Sequence, residues 1–219
     1  MKNILLINLK TYEEGTGAKA LEIAKIANRF AGGKTEIIIA AQATDIRLIA
    51  SEVNIPVFSQ HVDPVKYGSG TGWTLPESVK HAGAKGTLLN HSERRIDTET
   101  LRKSLSRCRE LALRTVVCAE TPDKAKEIAS LKPDYIAIEP PELIGGDISV
   151  SKTRPEVITD SIRKVNSVAR IPVLCGAGIK NSGDVRKALE LGAKGILVAS
   201  GVVRADVKEA ISDLLKGFE

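Results

Sequence analysis

Eight short, continuous apolar runs recur along this chain, and amphipathic stretches separate them. The runs are Ile4–Asn8, Glu36–Ala41, Pro56–Gln60, Gly86–Asn90, Thr115–Ala119, Asp134–Glu139, Ile171–Gly176 and Gly195–Ser200. Runs that do not alternate with polar residues are expected of strands buried on both faces of a parallel sheet. The stretches between them carry helical spacing instead. Ile23, Ile26, Ala27 and Phe30 form one stripe, and Ile158, Ile162, Val165 and Ala169 form another. Val207, Ala210, Ile211, Leu214 and Phe218 form the last. Thr74-Leu75-Pro76-Glu77 and Thr153-Arg154-Pro155-Glu156 read as capping boxes, and Thr121-Pro122 places proline at a first helical position. Shorter helices are expected within Thr44–Glu52 and Thr74–Ala82.

Two near-repeats suggest equal units. Gly83-Ala84-Lys85-Gly86 precedes the fourth run, and Gly192-Ala193-Lys194-Gly195 precedes the eighth. Ile55-Pro56-Val57-Phe58 and Ile171-Pro172-Val173-Leu174 open the third and seventh. Each pair lies about four strand–helix units apart, at roughly 27 residues per unit. Eight parallel strands form either an open doubly wound sheet or a closed barrel. The open sheet normally has a glycine-rich dinucleotide turn after its first strand. Here that strand ends in Asn8-Leu9-Lys10-Thr11-Tyr12. The expected fold class is therefore α/β, a (β/α)8 barrel with a closed parallel eight-stranded sheet. No linker or composition shift divides the chain, so residues 1–219 are read as a single domain.

Composition narrows the function classes. Lys plus Arg number 32 against 27 Asp plus Glu, a net charge of +5. The densest basic stretch runs from Arg94 to Arg114, but Leu101, Leu105, Cys108 and Ala112 stripe it at helical spacing. Its charges then form the solvated face of a helix. No aromatic residue interleaves them to stack bases, so no nucleic-acid partner is expected. The apolar run Ile4–Ile7 breaks at Asn8 and Lys10, unlike a signal peptide, and no run is long enough to span a membrane. Cys108, Cys118 and Cys175 show no metal or disulfide spacing and are read as small buried residues of a reducing cytoplasm. The three histidines, at 61, 81 and 91, are scattered, so neither a metal nor another cofactor is expected.

In such a barrel, function gathers at the C-terminal strand ends. Asn8 and Lys10 follow the first strand, and Gln60-His61 the third. Asn90-His91-Ser92-Glu93 follow the fourth, and Glu139-Pro140-Pro141 the sixth. Any one of these is ordinary alone. Together they bring a cation, an imidazole and a carboxylate to one mouth. Gly176-Ala177-Gly178 and Ala199-Ser200-Gly201 follow strands seven and eight. Such small residues make tight turns, or let backbone N–H groups approach a phosphate.

Several of these segments carry a family resemblance. Asn8-Leu9-Lys10-Thr11-Tyr12, His91-Ser92-Glu93-Arg94-Arg95 and Ile138-Glu139-Pro140-Pro141-Glu142-Leu143-Ile144-Gly145 resemble the triosephosphate isomerase family in its short archaeal form. Cys175-Gly176-Ala177-Gly178-Ile179 and Val198-Ala199-Ser200-Gly201-Val202 extend the likeness over nearly the whole chain. The resemblance implies a TIM barrel that isomerises a small phosphorylated triose. It implies Glu139 as base, His91 as electrophile and Lys10 as the cation beside the substrate oxygens. Asn8 would help place Lys10 and the substrate, and Glu93 would be a supporting carboxylate. Ile144, Gly145, Gly178, Ala199 and Ser200 would hold the phosphate, with the segment from Pro140 to Gly146 as a closing loop. The loop Tyr67–Trp73 would reach a neighbouring subunit of a homo-oligomer.

Chemistry fits these roles. A C–H beside a carbonyl is a weak acid, so one base must take and return the proton while donors stabilise the enediolate. A short helix over Glu93–Arg95, capped by Ser92, is expected to keep His91 neutral. Two rivals remain at this point: another phosphate-binding barrel with metal-dependent chemistry, and a basic module without catalysis.

Overall fold

The computed structural model describes residues 2–140 and 154–219. Its strands are β1 (Asn3–Asn8), β2 (Thr35–Ala41), β3 (Val57–Ser59) and β4 (Gly86–Leu89). They continue as β5 (Arg114–Ala119), β6 (Tyr135–Ile138), β7 (Val173–Cys175) and β8 (Gly195–Val198). Each pairs in parallel with its sequence neighbours, and β8 pairs with β1 to close the barrel. The helices packed outside are α1 (Gly17–Asn28), α2 (Ile46–Ala50), α3 (Pro76–His81), α4 (Thr98–Glu110) and α5 (Pro122–Ser130). After them come α6 (Pro155–Asn166), α7 (Ser182–Glu190), α8 (Ser200–Val203) and α9 (Val207–Lys216). The expected (β/α)8 architecture is the one that forms.

Although the strands are almost uniformly apolar, their residues divide by parity. Ile4 and Leu6 of β1 point into the barrel with Ile38, Ala40, Phe58, Leu88, Val116, Cys118, Tyr135, Ala137, Leu174 and Leu197. The alternate residues, such as Leu5, Ile7, Ile37 and Ile39, pack outward against Ala20, Ile23, Ala24 and their counterparts on other helices. A fully buried Leu, Ile or Phe side chain stabilises by about 1.5–3 kcal/mol relative to exposure. Two such layers hold a chain of this length without cross-links, and the three cysteines are buried and free.

The strands end earlier than their apolar runs predict. Gln60, Asn90, Glu139, Gly176 and the pair Ala199-Ser200 all lie beyond the ladder. The sheet stops where the mouth begins. Helix starts also differ in part. Thr121 accepts the Lys124 N–H at 3.1 Å, as its capping role requires. The start of α3 is displaced by one residue, to a cap position held by Leu75, which has no side-chain acceptor. Likewise α6 starts after Arg154, and Thr153 lies outside the described residues. In both, the proline at the first position fixes φ and starts the helix without a capping hydroxyl. Elsewhere caps are supplied by Asp97, Asn181 and Asp206, which accept N–H groups of Thr100, Asp184 and Glu209.

The basic stretch is α4 and its flanks, and ion pairs neutralise much of it. Arg102 and Lys103 pair with Glu99, and Arg95 with Glu120. One residue departs from the solvated-face reading: Arg107 is buried against Glu77 and Glu110.

Candidate active site

Strand parity builds the site. Two residues after the inward-facing Leu6, Phe58, Ala137, Leu174 and Leu197 come Asn8, Gln60, Glu139, Gly176 and Ala199. These form the next layer above the hydrocarbon stack. On β1, the Asn8 side chain then bends the backbone. Its Oδ1 accepts the Lys10 N–H at 3.0 Å, and Lys10 takes a left-handed φ of 49°. Gln60 secures that turn, with Nε2 donating to the Lys10 carbonyl at 2.9 Å and to Asn8 Oδ1 at 3.1 Å.

Strand β4 breaks the parity. Inward facing should pass from Leu88 to Asn90, but Asn90 has a φ of 58°. Its Nδ2 donates to the Cys118 carbonyl at 2.9 Å, and its Oδ1 accepts the Ile96 N–H at 3.1 Å. A left-handed Asn at this point rotates the chain and brings the next residue, His91, to the mouth.

Lys10, His91 and Glu139 line one cavity with Gly178, Ala199 and Ser200. Asn8 and Glu93 line an adjoining cavity that shares Lys10 and His91 as its wall. Ile144, Gly145 and the segment 141–146 lie outside the described residues. Glu139 is only 2% exposed. Its Oε1 is 3.4 Å from His91 Nε2, and its Oε2 is buried without a hydrogen-bond partner among the described residues. An unsatisfied buried carboxylate oxygen costs about 1–3 kcal/mol, so it is rarely kept where nothing uses it. Gly176 makes room for this side chain. A Cβ at position 176 would stand 2.6 Å from Glu139 Cγ.

The imidazole is oriented differently from the sequence-based expectation. No helix forms over Glu93–Arg95. The segment is a turn in which the Arg94 N–H donates to the His91 carbonyl at 2.8 Å. Within that turn the Glu93 N–H donates to His91 Nδ1 at 3.2 Å. A backbone N–H can only donate, so Nδ1 is an acceptor and the ring proton sits on Nε2, facing Glu139. Glu93 Oε2 also lies 3.5 Å from Nδ1, but that contact is longer and Glu93 is largely exposed.

Lys10 Nζ is held 2.8 Å from Glu93 Oε1, which fixes the ammonium beside the cavity. Below it, burial pushes the Cys118 thiol well above the ordinary thiol range, with the Glu139 charge adding to the effect. Burial likewise raises Cys175 to about 12. Neither thiol ionises near neutrality.

Sequence reasoning gave Gln60 and Asn90 no role beyond their place at strand ends, and read Gly176 as part of a tight turn or phosphate approach rather than as space for Glu139. The first and third were accessible from parity alone, at two residues beyond Phe58 and Leu174. Asn90 was not, because its role depends on a carbonyl 28 residues away.

The family model for triosephosphate isomerase matches residues 3–215. A triosephosphate isomerase of Methanocaldococcus jannaschii is 48% identical over 97% of this chain and 99% of its own length. One from Methanosarcina acetivorans is 47% identical over 97% of each chain. One from Archaeoglobus fulgidus is 47% identical over 97% of this chain and 96% of its own. The chain belongs to the triosephosphate isomerase family. The likeness of its motifs to the short archaeal triosephosphate isomerases extends over 97% of the chain at 47–48% identity. Among the described residues, no helix is long and apolar enough to cross a membrane.

Proposed function

We propose that this chain interconverts dihydroxyacetone phosphate and D-glyceraldehyde 3-phosphate, with Glu139 as the shuttling base. The observation that carries this reading is the buried, half-unsatisfied Glu139 carboxylate, 3.4 Å from a His91 Nε2 that bears a proton. Glu139 takes a proton from C1, and the C–H electrons move into a C1–C2 double bond as the C2 carbonyl oxygen gains charge. The Nε2–H of His91 and the Lys10 ammonium stabilise that charge. The hydroxyl proton passes from O1 to O2 by way of the imidazole, and Glu139 returns its proton at C2. Atoms balance, and neither redox change nor an external acid is needed.

Asn8 and Glu93 act through Lys10, the first on its backbone and the second on its ammonium group. Backbone of Gly178, Ala199 and Ser200 holds the phosphate. Gly178 has a φ of 69° and Ala199 immediately precedes α8, which supports a close backbone approach. The family resemblance adds Ile144 and Gly145 to that cradle and makes the segment from Pro140 to Gly146 a lid that dries the site. No metal or cofactor takes part. The reaction serves glycolysis and gluconeogenesis in the cytoplasm, where three buried reduced thiols are at home.

Self-association proceeds through the loop Tyr67–Trp73. Tyr67 is 68% exposed and Trp73 is 55% exposed, an apolar cost that a neighbouring subunit relieves. A coupled assay with glyceraldehyde 3-phosphate tests the activity. Metal-independent isomerisation that survives a chelator is expected, and its absence in folded protein sinks the reading. Sedimentation tests the assembly, and an active monomer counts against it.

A further inference from the structure

Both reacting groups of the proposed site hang from the end of one strand, β5. The β4–β5 ladder ends at the pair Leu89–Val117, and the β5–β6 ladder ends at Ala119–Ile138. Beyond Ile138, the Glu139 N–H donates to the Ala119 carbonyl at 2.9 Å, so β5 still holds the backbone that carries the carboxylate. Beyond Leu89, the next rung would join Asn90 to Cys118. There a side chain replaces the backbone: Asn90 Nδ2 donates to the Cys118 carbonyl at 2.9 Å. Its Oδ1 accepts the Ile96 N–H at 3.1 Å. A carbonyl only accepts and a backbone N–H only donates, so this buried amide fits in one orientation alone.

The amide therefore fixes the imidazole turn at both ends. It ties the start of the turn to β5 and the end of the turn, at Ile96, back to Asn90 itself. Within those ties the Arg94 N–H closes on the His91 carbonyl at 2.8 Å. Consecutive carbonyls of β5, those of Cys118 and Ala119, thus set where His91 and Glu139 begin. His91 Nε2 then comes to 3.4 Å from Glu139 Oε1. The left-handed φ of 58° alone would only turn the chain, and a glycine could supply it. The two side-chain bonds are what glycine lacks. We infer that Asn90 is a positioning residue for the proposed proton transfer, whose side chain sets the separation of imidazole and carboxylate. The inference rests on the reading of the site given above.

Asn90→Gly separates the two contributions, because it keeps the backbone conformation and removes both bonds. It is expected to lower kcat by about 5- to 50-fold, since a reacting group displaced by a fraction of an ångström loses much of its effect. KM for glyceraldehyde 3-phosphate and inhibition by glycerol 3-phosphate should stay within about twofold, because the phosphate cradle is built by other strands. Asn90→Asp keeps the acceptor for Ile96 and removes the donor to Cys118, and should show the same split. In a Glu139→Gln background, Asn90→Gly should lower kcat by less than about twofold further, because groups that act as a unit are lost only once. A merely structural role would lower the urea midpoint and spare the kcat of the folded enzyme. The inference falls if folded Asn90→Gly turns over within about twofold of the parent, or if KM rises as much as kcat falls. It falls also if neither variant folds, since Asn90 would then serve the fold and not the pair. Glu139→Gln alone is the control. If it abolishes turnover and Asn90→Gly does not, the Asn90 inference falls and the reading of the site stands. If Glu139→Gln turns over normally, the reading falls with it.

Discussion

The two ends of the barrel treat polar residues in opposite ways. At the floor, Arg114 grips Glu36 with two hydrogen bonds of 2.8 and 3.1 Å and lies 5.2 Å above the centre of the Phe58 ring. Asp134 accepts both the backbone N–H and the hydroxyl of Thr115. At the mouth, Glu139 has an oxygen without a partner among the described residues, and Lys10 and Asn90 occupy left-handed backbone conformations. The floor pairs its charges, as a structural cap should. The mouth holds unspent hydrogen-bonding capacity, as a site prepared for a ligand should. Left-handed residues do not separate the ends, because Ala112 and Lys132, which precede β5 and β6, are left-handed as well. The difference separates stability from function within one set of eight strands.

Exchanges at the two ends should therefore have different signatures. The largest effect is expected at the mouth. Glu139→Gln keeps the shape but removes the base, and should lower kcat by about 10²–10⁴. Because the change neutralises a buried carboxylate, the urea midpoint should hold or rise. Near-normal turnover would remove Glu139 from the mechanism. Next comes Gln60→Glu, which sets a carboxylate oxygen against the Lys10 carbonyl and Asn8 Oδ1. It should cost about 1–3 kcal/mol of stability, the range for polar groups left unpaired. An unchanged urea midpoint would show that Gln60 does not hold the strained turn.

At the floor, Arg114→Met should cost about 1 kcal/mol through the lost, partly exposed ion pair and the contact with the buried Phe58 ring. Its kcat/KM should stay within about twofold of the parent. A large loss of activity there would erase the contrast between the ends. The smallest effect concerns His61, whose Nε2 lies 2.9 Å from Asp63 Oδ1. Burial holds its pKa below the ordinary 6.5, with the Asp63 hydrogen bond opposing and the Arg94 charge assisting. The unfolded chain then takes up the proton first. Stability from the neutral ring is complete above pH 6.5 and drains as the pH falls from there to the folded value. Urea titrations of the parent at pH 8 and pH 5.5 should differ by less than about 1 kcal/mol from this source. His61→Gln should flatten that difference, and a larger pH dependence in the variant would reverse the sign.

Strand count and barrel closure were legible in the sequence, because burial on both faces leaves a strong apolar signal. Exact ends were not. Gln60, Asn90, Glu139 and Gly176 extend the apolar runs by position but leave the sheet to serve the mouth, and hydropathy does not register that departure. The expected helix after His91 was a local guess that a single turn replaced. What fixed the turn is geometric: one N–H aimed at a ring nitrogen. The Lys10–Glu93 pair joins residues 83 apart, so types were readable where distances were not.

The missing side chain at position 176 has an evolutionary corollary. Glu139 and Gly176 occupy a single volume between them, so residue 176 cannot gain a side chain while the Glu139 side chain stays where it is. A lineage that enlarged residue 176 to admit a different carbonyl compound would evict its own carboxylate. New chemistry on this scaffold must therefore arise through paired substitution, or begin at another strand end.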